Sequence, residues 1–298
     1  MLPSKEELKK WKEAGKEAAR LLSYARKIVK SGMPLLELIE KIEEKAKHRF
    51  AFPTNLSVDS IAAHYSPCYK DRNVAKGLLK IDLGINIDGF ISDTACSVDL
   101  TEEKKHEELI KASEKALKEA IKIIKPGIKL CEIGKTIEDT IRSFGFLPIK
   151  NLTGHEIRRW KLHGSLKIPN YDDGSNFQLE EGMIIAVEPF ATYGEGLVVN
   201  DEPSCIYRQL TFNYPIRDKK ARKLLEFIEK NYKGLPFSSR WLVNCFGNSV
   251  LIPLSLLEKS QILYRYPLLV EKTRAAVSQT EHTVLVTKNG CVILTKES

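Results

Sequence analysis

The length and composition of the chain exclude several classes of protein. It has 298 residues, of which 43% are hydrophobic and 29% are charged, which is enough to bury a sizeable core in one large domain or two smaller ones. No segment has the length of an apolar membrane-spanning helix, and the charged N-terminal segment does not resemble a signal peptide. The net charge is +8, and the lysines are interspersed with glutamates, as on a solvated helix face. We therefore expect a cytoplasmic protein that binds no membrane and no specific nucleic acid.

The spacing of the cysteines predicts free thiols. No two of them have the CxxC spacing of a zinc site or a redox motif, and the six are Cys68, Cys96, Cys131, Cys205, Cys245 and Cys291. In a cytoplasmic protein such scattered thiols stay reduced. The sequence therefore argues against both a zinc finger and a disulfide scaffold.

Residues 78–98, which read LLKIDLGINIDGFISDTACSV, contain the strongest local pattern in the sequence. Two apolar-rich runs with strand character, 78–87 and 90–98, are separated by Asp88-Gly89. An Asp-Gly pair in this position favours a hairpin with a two-residue turn. The rest of the fold is organised around this predicted hairpin.

The register of this hairpin would bring two aspartates together. With a two-residue turn, Asp82 lies opposite Ala95 and Asp93 lies opposite Gly84, so both carboxylates project from one face of the sheet. Diagonal neighbours are roughly 7–8 Å apart at the backbone. Two carboxylates without partners on a mostly apolar face would repel each other, whereas one hard cation, or two cations about 3.5–4 Å apart, would satisfy both. The alternative is that this face is solvated and that both aspartates are ordinary surface residues.

The chain before and after the hairpin has the same order of elements. Periodicity predicts two helices on each side of it, over about 4–31, 34–47, 101–126 and 129–143. A shift of 95 residues aligns the two pairs and matches Gly32 with Gly127. A repeat of this length is too long for a solenoid. It predicts two α+β halves packed about a pseudo-twofold axis, with a site in the cleft between them.

The second half contains further residues of the types that bind metals. His155 and His163 lie in NLTGHEIRRWKLHGSLKIP, Glu188 lies in the apolar segment 183–190, and Glu281 begins the last predicted hairpin. The apolar segment is predicted to be a buried strand, where a glutamate is unexpected unless a positive group faces it.

Together these residues indicate a dinuclear metal centre. Four carboxylates and one imidazole suit Mn, Fe, Co or Zn in a dinuclear site better than they suit a structural zinc, and the five residues are Asp82, Asp93, His155, Glu188 and Glu281. Such a pair of metals polarises a carbonyl and supplies hydroxide at neutral pH. The chain has no GxSxG elbow, no Walker loop and no GxGxxG after a strand, so neither a serine hydrolase nor a nucleotide-binding protein is indicated.

The composition changes between residues 207 and 260. A charged helical pattern, RDKKARKLLEFIEKN, is followed there by the aromatic and irregular YKGLPFSSRWLVNCF. We interpret this segment as a helical subdomain inserted into a single catalytic domain that covers residues 1–298.

Four motifs, in this order and spacing, resemble those of the methionine aminopeptidases: KIDLGINIDGFISDTA, NLTGHEI…KLHG, MIIAVEPFAT and TEHTVLV. The resemblance covers essentially the whole chain. It implies the pita-bread fold, in which two α+β halves surround a central antiparallel sheet. The insertion at 207–260 is similar to the one that marks type 2 enzymes, and the short N-terminus is similar to that of the archaeal form.

The resemblance also implies a role for each site residue. Asp82 would bind one metal ion, Asp93 and Glu281 would bridge two ions, and His155 and Glu188 would complete the second, with Glu188 also able to shuttle a proton.

Five other positions match the family's substrate site. His64 corresponds to the histidine near the substrate amine, and His163 to the histidine that contacts the scissile carbonyl or the tetrahedral intermediate. Phe52, Leu162 and Tyr266 fall where the family lines its methionine pocket.

The activity that the resemblance implies is release of the N-terminal methionine when the second residue is small, by a metal-bound hydroxide at two divalent ions (Co, Mn, Fe, Zn or Ni). The partners would be N-terminal Met peptides and nascent chains. A weak association with the ribosome is left open, and we expect a monomer.

Two alternatives remain at this point. A proline-specific aminopeptidase or dipeptidase of the same fold uses the same five ligands, but such enzymes usually carry a large extra N-terminal domain and lack the 207–260 insertion. A non-catalytic binding protein on this fold would have lost ligands, and all five are present. Of the remaining histidines, His106 is expected to face solvent, and His282 is expected to point away from Glu281, to the opposite face of the sheet.

Overall fold

The computed structural model describes residues 2–212 and 215–296, so Asn213 and Tyr214 of the predicted insertion lie outside the described residues. Within these ranges the chain forms seven α-helices: α1 (Lys5–Ile28), α2 (Leu35–Lys45), α3 (Glu107–Ile123), α4 (Leu130–Ser143), α5 (Lys219–Tyr232), α6 (Ser239–Phe246) and α7 (Leu251–Lys259). None of these helices is both long enough and apolar enough to cross a membrane.

The strands of the same ranges all pair antiparallel. They are β1 (Arg49–Phe50), β2 (Asn55–Val58), β3 (Ile61–Ala63), β4 (Leu78–Ile87), β5 (Phe90–Asp99), β6 (Leu147–Pro148), β7 (Gly154–Glu156), β8 (Lys167–Ile168), β9 (Ile184–Val187), β10 (Phe190–Thr192), β11 (Val198–Gln209), β12 (Phe237–Ser238), β13 (Leu263–Glu271), β14 (Val277–Gln279), β15 (Glu281–Thr287) and β16 (Gly290–Ile293).

The predicted hairpin forms with the predicted register. Strands β4 and β5 are joined at Asp88-Gly89, and both turn residues have positive φ, 53° and 90°. This is the backbone of a type I′ turn, whose twist matches that of the strands. Asp82 consequently pairs with Ala95, and Asp93 pairs with Gly84.

The two helical pairs repeat each other in backbone detail. Helices α2 and α4 begin 95 residues apart, at Leu35 and Leu130. Before them, Gly32 and Gly127 have φ of 83° and 86°, and each donates its N–H to a backbone carbonyl at 2.8 Å. The internal repeat predicted from the sequence is therefore present in the turns as well as in the helices.

Helices α1 to α4 pack against one face of the central sheet. In that sheet the strands run in the order β1-β4-β5-β15-β9-β7-β8, with β2 added at β4 and β16 at β15. Helices α1 and α2 share a hydrophobic cluster with β4, and α3 and α4 share another with β9 and β15. The hydroxyl of Ser92 donates to the carbonyl of Ala14 at 2.9 Å, so α1 packs on the face of β5 opposite to Asp93, because neighbouring side chains alternate.

Helix α3 begins later than the sequence predicted, at Glu107 rather than at Thr101. The carboxylate of Asp99 accepts hydrogen bonds from the backbone N–H and hydroxyl of Thr101 and from the N–H of His106. These bonds hold the intervening residues in turns, since an aspartate side chain competes with the helix for backbone donors. His106 is consequently only 8% exposed, and the prediction that it faces solvent is wrong.

The segment 207–260 packs around a hydrophobic cluster of its own. The cluster includes Tyr207 and Phe237 from the strands and Leu224, Leu242 and Leu257 from the helices. Strands β12, β11, β13 and β3 form a separate four-stranded sheet beside it.

A partly buried ion pair connects this segment to the first half of the chain. The guanidinium of Arg240 in α6 donates two hydrogen bonds to Glu43 of α2, at 2.9 and 2.5 Å, and the indole N–H of Trp241 donates to the same carboxylate. Bidentate pairing of this kind fixes orientation as well as distance.

The prediction of free thiols is wrong for one pair of cysteines. Cys68, in the loop after β3, forms a disulfide with Cys205 of β11, with the two Cα atoms 5.7 Å apart. The two residues are separated by 137 positions, so only the tertiary fold brings them together. Cys96, Cys131, Cys245 and Cys291 are free.

Candidate metal centre and substrate cavity

All ten predicted site residues line one cavity, of about 280 Å³, on the face of the central sheet opposite to helices α1 to α4. The predicted metal ligands among them are Asp82, Asp93, His155, Glu188 and Glu281, and the predicted substrate contacts are Phe52, His64, Leu162, His163 and Tyr266. They come from strands β4, β5, β7, β13 and β15 and from the loops that follow β1, β3, β7 and β9. The sequence could not show this convergence directly, because 229 positions separate the first of these residues from the last.

The pairing of three strands positions three of the carboxylates. Ala95 of β5 pairs with Asp82 on one side and with Glu281 on the other. The small alanine side chain therefore lies between two carboxylates in one row across the sheet, and Asp93 lies two residues along β5 on the same face. The prediction that Asp82 and Asp93 share a face is confirmed.

The imidazole of His155 completes the cluster from the far side. Its Nε2 lies 3.5 Å from Oδ2 of Asp93 and 3.7 Å from Oε1 of Glu188, and Asp93, His155 and Glu281 each offer a ligand atom within 4.8 Å of the others. Its Nδ1 lies 3.4 Å from the backbone carbonyl of Glu156. Metal-binding histidines commonly donate their second ring N–H to such an acceptor, which directs the lone pair of the other nitrogen towards the metal.

The electrostatics of this cluster favour neutralisation of its negative charge, by protons or by a bound cation. Burial, and then the charge of Asp93, hold the pKa of Asp82 well above its ordinary value, and burial with the neighbouring carboxylates does the same for Glu188 and Glu281. The pKa of Asp93 is also raised, mainly by burial. No lysine or arginine is among the described residues that line the cavity.

Three carboxylate oxygens in the cluster have no partner at all. Oδ1 of Asp82, Oδ1 of Asp93 and Oε1 of Glu281 are buried and accept no hydrogen bond from the described part of the chain. Since a buried charged acceptor without a partner is costly, and since oxygen ligands with one imidazole suit divalent metals, this donor set fits a metal centre.

His64 lies on the opposite wall in a constrained conformation. Its φ is +69°, in the left-handed region that few residues other than glycine adopt. Its Nδ1 lies 3.1 Å from the carbonyl of Pro267, which can only accept, so Nδ1 carries the proton and Nε2 is left as an acceptor. Desolvation lowers the pKa of His64 to about 4, so the ring is neutral near pH 7.

His163 lies at the rim of the cavity, with its ring centroid 4.5 Å from that of His155. Its side chain reaches solvent through the opening, yet it is crowded by protein atoms. The surrounding protein atoms desolvate the ring of His163. This desolvation, together with the nearby His155 and His64, holds the pKa of His163 well below its ordinary value. A neutral imidazole that can donate one N–H therefore stands beside the carboxylate cluster.

The apolar wall is made mainly by Phe52 and Leu162, which are both buried. Gly84, opposite Asp93, makes room for the ring of Phe52, since a Cβ at Gly84 would lie 2.5 Å from its Cε1 atom. The ring of Tyr266 lies 5.0 Å from that of His64, so the apolar wall and the histidine wall meet at this tyrosine.

One residue that supports the cluster was missed in the sequence. The amide of Gln279 donates to Oε2 of Glu281 at 3.5 Å, and the backbone of Gln279 is held by the hydroxyl of Ser97. The sequence signal that could have indicated Gln279 is its position two residues before Glu281, a spacing that can bring the two side chains together. His282, as expected, points away, and its Nδ1 lies 2.9 Å from the hydroxyl of Thr295.

Comparisons with known proteins agree with this geometry. Residues 9–288 match the sequence model of metallopeptidase family M24, which implies a divalent metal cofactor. The methionine aminopeptidase of Pyrococcus abyssi is 44% identical over 95% of this chain and 98% of its own length. The solved methionine aminopeptidase of Thermotoga maritima superposes with a TM-score of 0.70 at 26% identity, covering 100% of this chain and 99% of that one.

A thermophilic Arx1 structure has a TM-score of 0.83 at 20% identity, with 98% of this chain and 91% of that chain covered, and at this identity it supports the fold alone. The α+β pita-bread fold predicted from the sequence is confirmed. The chain belongs to metallopeptidase family M24 and, within it, to the methionine aminopeptidases.

Proposed function

We propose that this protein is a type 2 methionine aminopeptidase, which removes the N-terminal methionine from nascent chains when the second residue is small. The observation that carries the proposal is the convergence of four carboxylates, three of them with an unpartnered buried oxygen, and one imidazole on a cavity that also has an apolar wall. The identity of the relatives gives the reaction class.

The five-residue cluster would hold two divalent ions rather than one. Four carboxylates carry a formal charge of −4, which a single divalent ion leaves half uncompensated. Asp82, Asp93, His155, Glu188 and Glu281 would be the ligands, for ions such as Co, Mn, Fe, Zn or Ni. When bound, the ions would polarise the scissile carbonyl and lower the pKa of water.

The histidines would act on the substrate directly. His64 presents Nε2 as an acceptor, which suits an N–H group of the substrate near its N-terminus. His163 is a neutral donor at the rim, which suits the carbonyl oxygen as negative charge develops on it. Glu188, already beside His155, would move a proton between the attacking water and the departing amine.

Specificity for methionine would come from the apolar wall. Phe52, Leu162 and Tyr266 would enclose the side chain of the first residue, mainly by apolar contact. An apolar pocket of this kind discriminates by only about 1–3 kcal/mol per methylene. Norleucine in place of methionine should therefore also be released.

The inserted segment 207–260 would act as a wall of the cleft and not as a source of chemistry, within one catalytic domain. Pro236 from this segment, and Ile206 immediately before it, line the cavity, and none of the five proposed ligands belongs to the segment. This supports the type 2 assignment. We further propose that the enzyme works as a monomer in the cytoplasm, on chains emerging from the ribosome.

The experiment that tests the function is product analysis on two sets of peptides. Met-Ala-Ser and Xaa-Pro peptides are incubated with the protein after chelation and after separate addition of Mn, Co, Fe, Zn or Ni. Release of free methionine from Met-Ala-Ser, dependent on added metal, is the expected result. Preferential cleavage of the Xaa-Pro peptides would instead identify a proline-specific peptidase, and no cleavage of either set would indicate a binding protein.

A further inference from the structure

Two neighbouring strands lead from the cavity to solvent on one side. Ile206 of β11 lines the cavity and is 4% exposed, whereas Arg208, two residues further on the same face, is exposed. On the neighbouring strand β13, Tyr266 lines the cavity, and Tyr264 is 38% exposed. Arg208 pairs directly with Tyr264 in the strand register. These residues form a wall along which a peptide would leave the cavity.

Arg208 is held in place on this wall without an acidic partner. Its guanidinium lies 5.6 Å from the ring centroid of Tyr264 and 5.9 Å from that of Tyr266, and these two rings pack edge to face at 5.1 Å. Within residues 2–212 and 215–296 the guanidinium makes no ion pair and donates no hydrogen bond. Cation–π contact with two aromatic rings restricts this guanidinium, which is otherwise free to bind a ligand.

The neighbouring Arg265 provides a comparison, because its guanidinium is already hydrogen-bonded within the protein. Arg265 lies between Tyr264 and Tyr266 in sequence, and so on the other face of β13. It lies over the ring of Tyr207 and donates from Nε to the carbonyl of Ser204 at 2.6 Å. Arg208 has a similar contact with aromatic rings, but its guanidinium has no hydrogen-bond acceptor among the described residues.

The position of Arg208 matches a substrate residue beyond the cleaved bond. Residues two apart on a strand are separated by roughly 6–7 Å, which is also the span of two residues in an extended peptide. If the first residue of the substrate lies against Tyr266 and the metal ligands, its third or fourth residue lies against Arg208 and Tyr264.

We propose that Arg208 and Tyr264 form an exit subsite that binds a carboxylate of the substrate, and that this subsite makes the enzyme favour acidic peptides. The carboxylate is either an acidic side chain at the third or fourth residue or the C-terminal group of a tripeptide or tetrapeptide. A guanidinium fork matches a carboxylate geometrically and electrostatically. The inference rests on the proposed function, because it places the first residue by means of the metal cluster.

The test compares kcat/KM across C-terminally amidated peptides with aspartate, asparagine or lysine at the third or fourth residue after Met-Ala. The native protein should prefer aspartate over asparagine by about 3–10-fold at one of these positions, as expected for an exposed charge-assisted pair. The preference should appear in KM and decrease with added salt. A separate comparison of free-acid and amidated Met-Ala-Ser distinguishes the C-terminal carboxylate from an acidic side chain.

Arg208→Gln should reduce the aspartate-to-asparagine ratio to about 1, and Arg208→Lys should leave an intermediate ratio, since lysine keeps the charge but not the fork. The matched control is Arg26→Gln, an exposed arginine of α1 on the helix-covered side of the sheet, which should keep the full ratio. Equal kcat/KM for all charges and for both C-terminal forms in the native protein, or a preference that survives Arg208→Gln, would overturn the subsite. Failure to release methionine from any peptide would instead overturn the proposed function.

Discussion

Two buried glutamates, ten residues apart, have opposite surroundings. Glu271 at the end of β13 is 0% exposed, and its carboxylate accepts hydrogen bonds from the backbone N–H and hydroxyl of Thr273 and from the N–H of Glu195. Burial acts to raise the pKa of Glu271, but these bonds outweigh it and the pKa is lowered. Glu281 at the start of β15 is 1% exposed. Its Oε1 accepts no hydrogen bond from the residues that the structure describes, and burial and the neighbouring carboxylates hold its pKa well above the ordinary value.

The difference shows that burial of a carboxylate is not what marks a functional site. Glu271 is supplied with donors by its own loop, and it fixes the turn between β13 and β14. Glu281 is surrounded by other acids, and its one hydrogen bond from the described residues, from the amide of Gln279, reaches Oε2 at 3.5 Å and leaves Oε1 without a donor. A buried charge that the chain leaves unsatisfied indicates a ligand, and here the chemistry of the neighbours makes that ligand a cation.

The largest expected effect is that of Glu281→Gln, which keeps the shape of the side chain and removes its charge. This variant should lose metal affinity and peptide hydrolysis by more than the about 10–100-fold that removal of an outer-shell partner costs. Metal content by mass spectrometry and steady-state kinetics on Met-Ala-Ser measure the two losses. Full metal content in this variant would place Glu281 outside the centre.

Replacement of His155, in the cluster, and of His163, at the rim of the cavity, should impair the enzyme in different ways. His155→Ala should lose metal, with activity partly restored at high metal concentration, because its Nε2 faces the carboxylates. His163→Ala should keep its metal and its KM and lose about 10²–10³-fold in kcat, because its donor acts mainly on charge that develops in the transition state. If the His163 variant is the one purified without metal, the two assignments are reversed.

Glu271→Gln should reduce stability and leave metal binding unchanged, in contrast to Glu281→Gln. Replacing the carboxylate leaves a buried amide among donors that were paired with a charge, and it should lower the free energy of unfolding by about 1–3 kcal/mol. Metal content should be unchanged. Denaturant unfolding, with metal analysis of the same preparation, measures both quantities. Loss of metal from this variant would remove the distinction between the two glutamates.

The smallest effect is a difference in pH dependence between the same two variants in chelated protein. The pKa of Glu281 is higher in the folded protein than its ordinary value of 4.5, so its contribution to stability is full below pH 4.5 and is lost as the pH rises. The pKa of Glu271 is lower in the folded protein than 4.5, so its contribution is full above pH 4.5 and is lost as the pH falls. Glu281→Gln should therefore raise the free energy of unfolding of the metal-free protein at pH 7 more than at pH 4. Glu271→Gln should lower it at pH 7 more than at pH 4. Parallel pH profiles would contradict the comparison.

The central hairpin could be predicted from the sequence because its information is local. The Asp88-Gly89 turn sets the register, and the register sets the faces of Asp82 and Asp93. The late start of α3 could not be predicted from helix periodicity. It depends on hydrogen bonds from Thr101 and His106 to the carboxylate of Asp99, which the spacing of apolar residues does not reveal.

Features that depend on residues far apart in the sequence could not be predicted from local sequence patterns. The disulfide joins Cys68 and Cys205 across 137 positions, and cysteine spacing gives no indication of it. Gln279 and Arg208 matter through their neighbours in space, which only the packed strands define. The proposed metal ligands could be predicted from the sequence because their residue types are rare in apolar strands, and because their motifs resemble those of a family.

The most direct test of the account is a titration of the chelated protein with Mn or Co that follows bound metal and hydrolysis of Met-Ala-Ser together. The four carboxylates and the imidazole predict that two metal equivalents bind, that hydrolysis is absent without metal and returns during the titration, and that Glu281→Gln binds fewer equivalents. Full hydrolysis after exhaustive chelation would contradict the account, because the unsatisfied carboxylates would then have no part in the reaction.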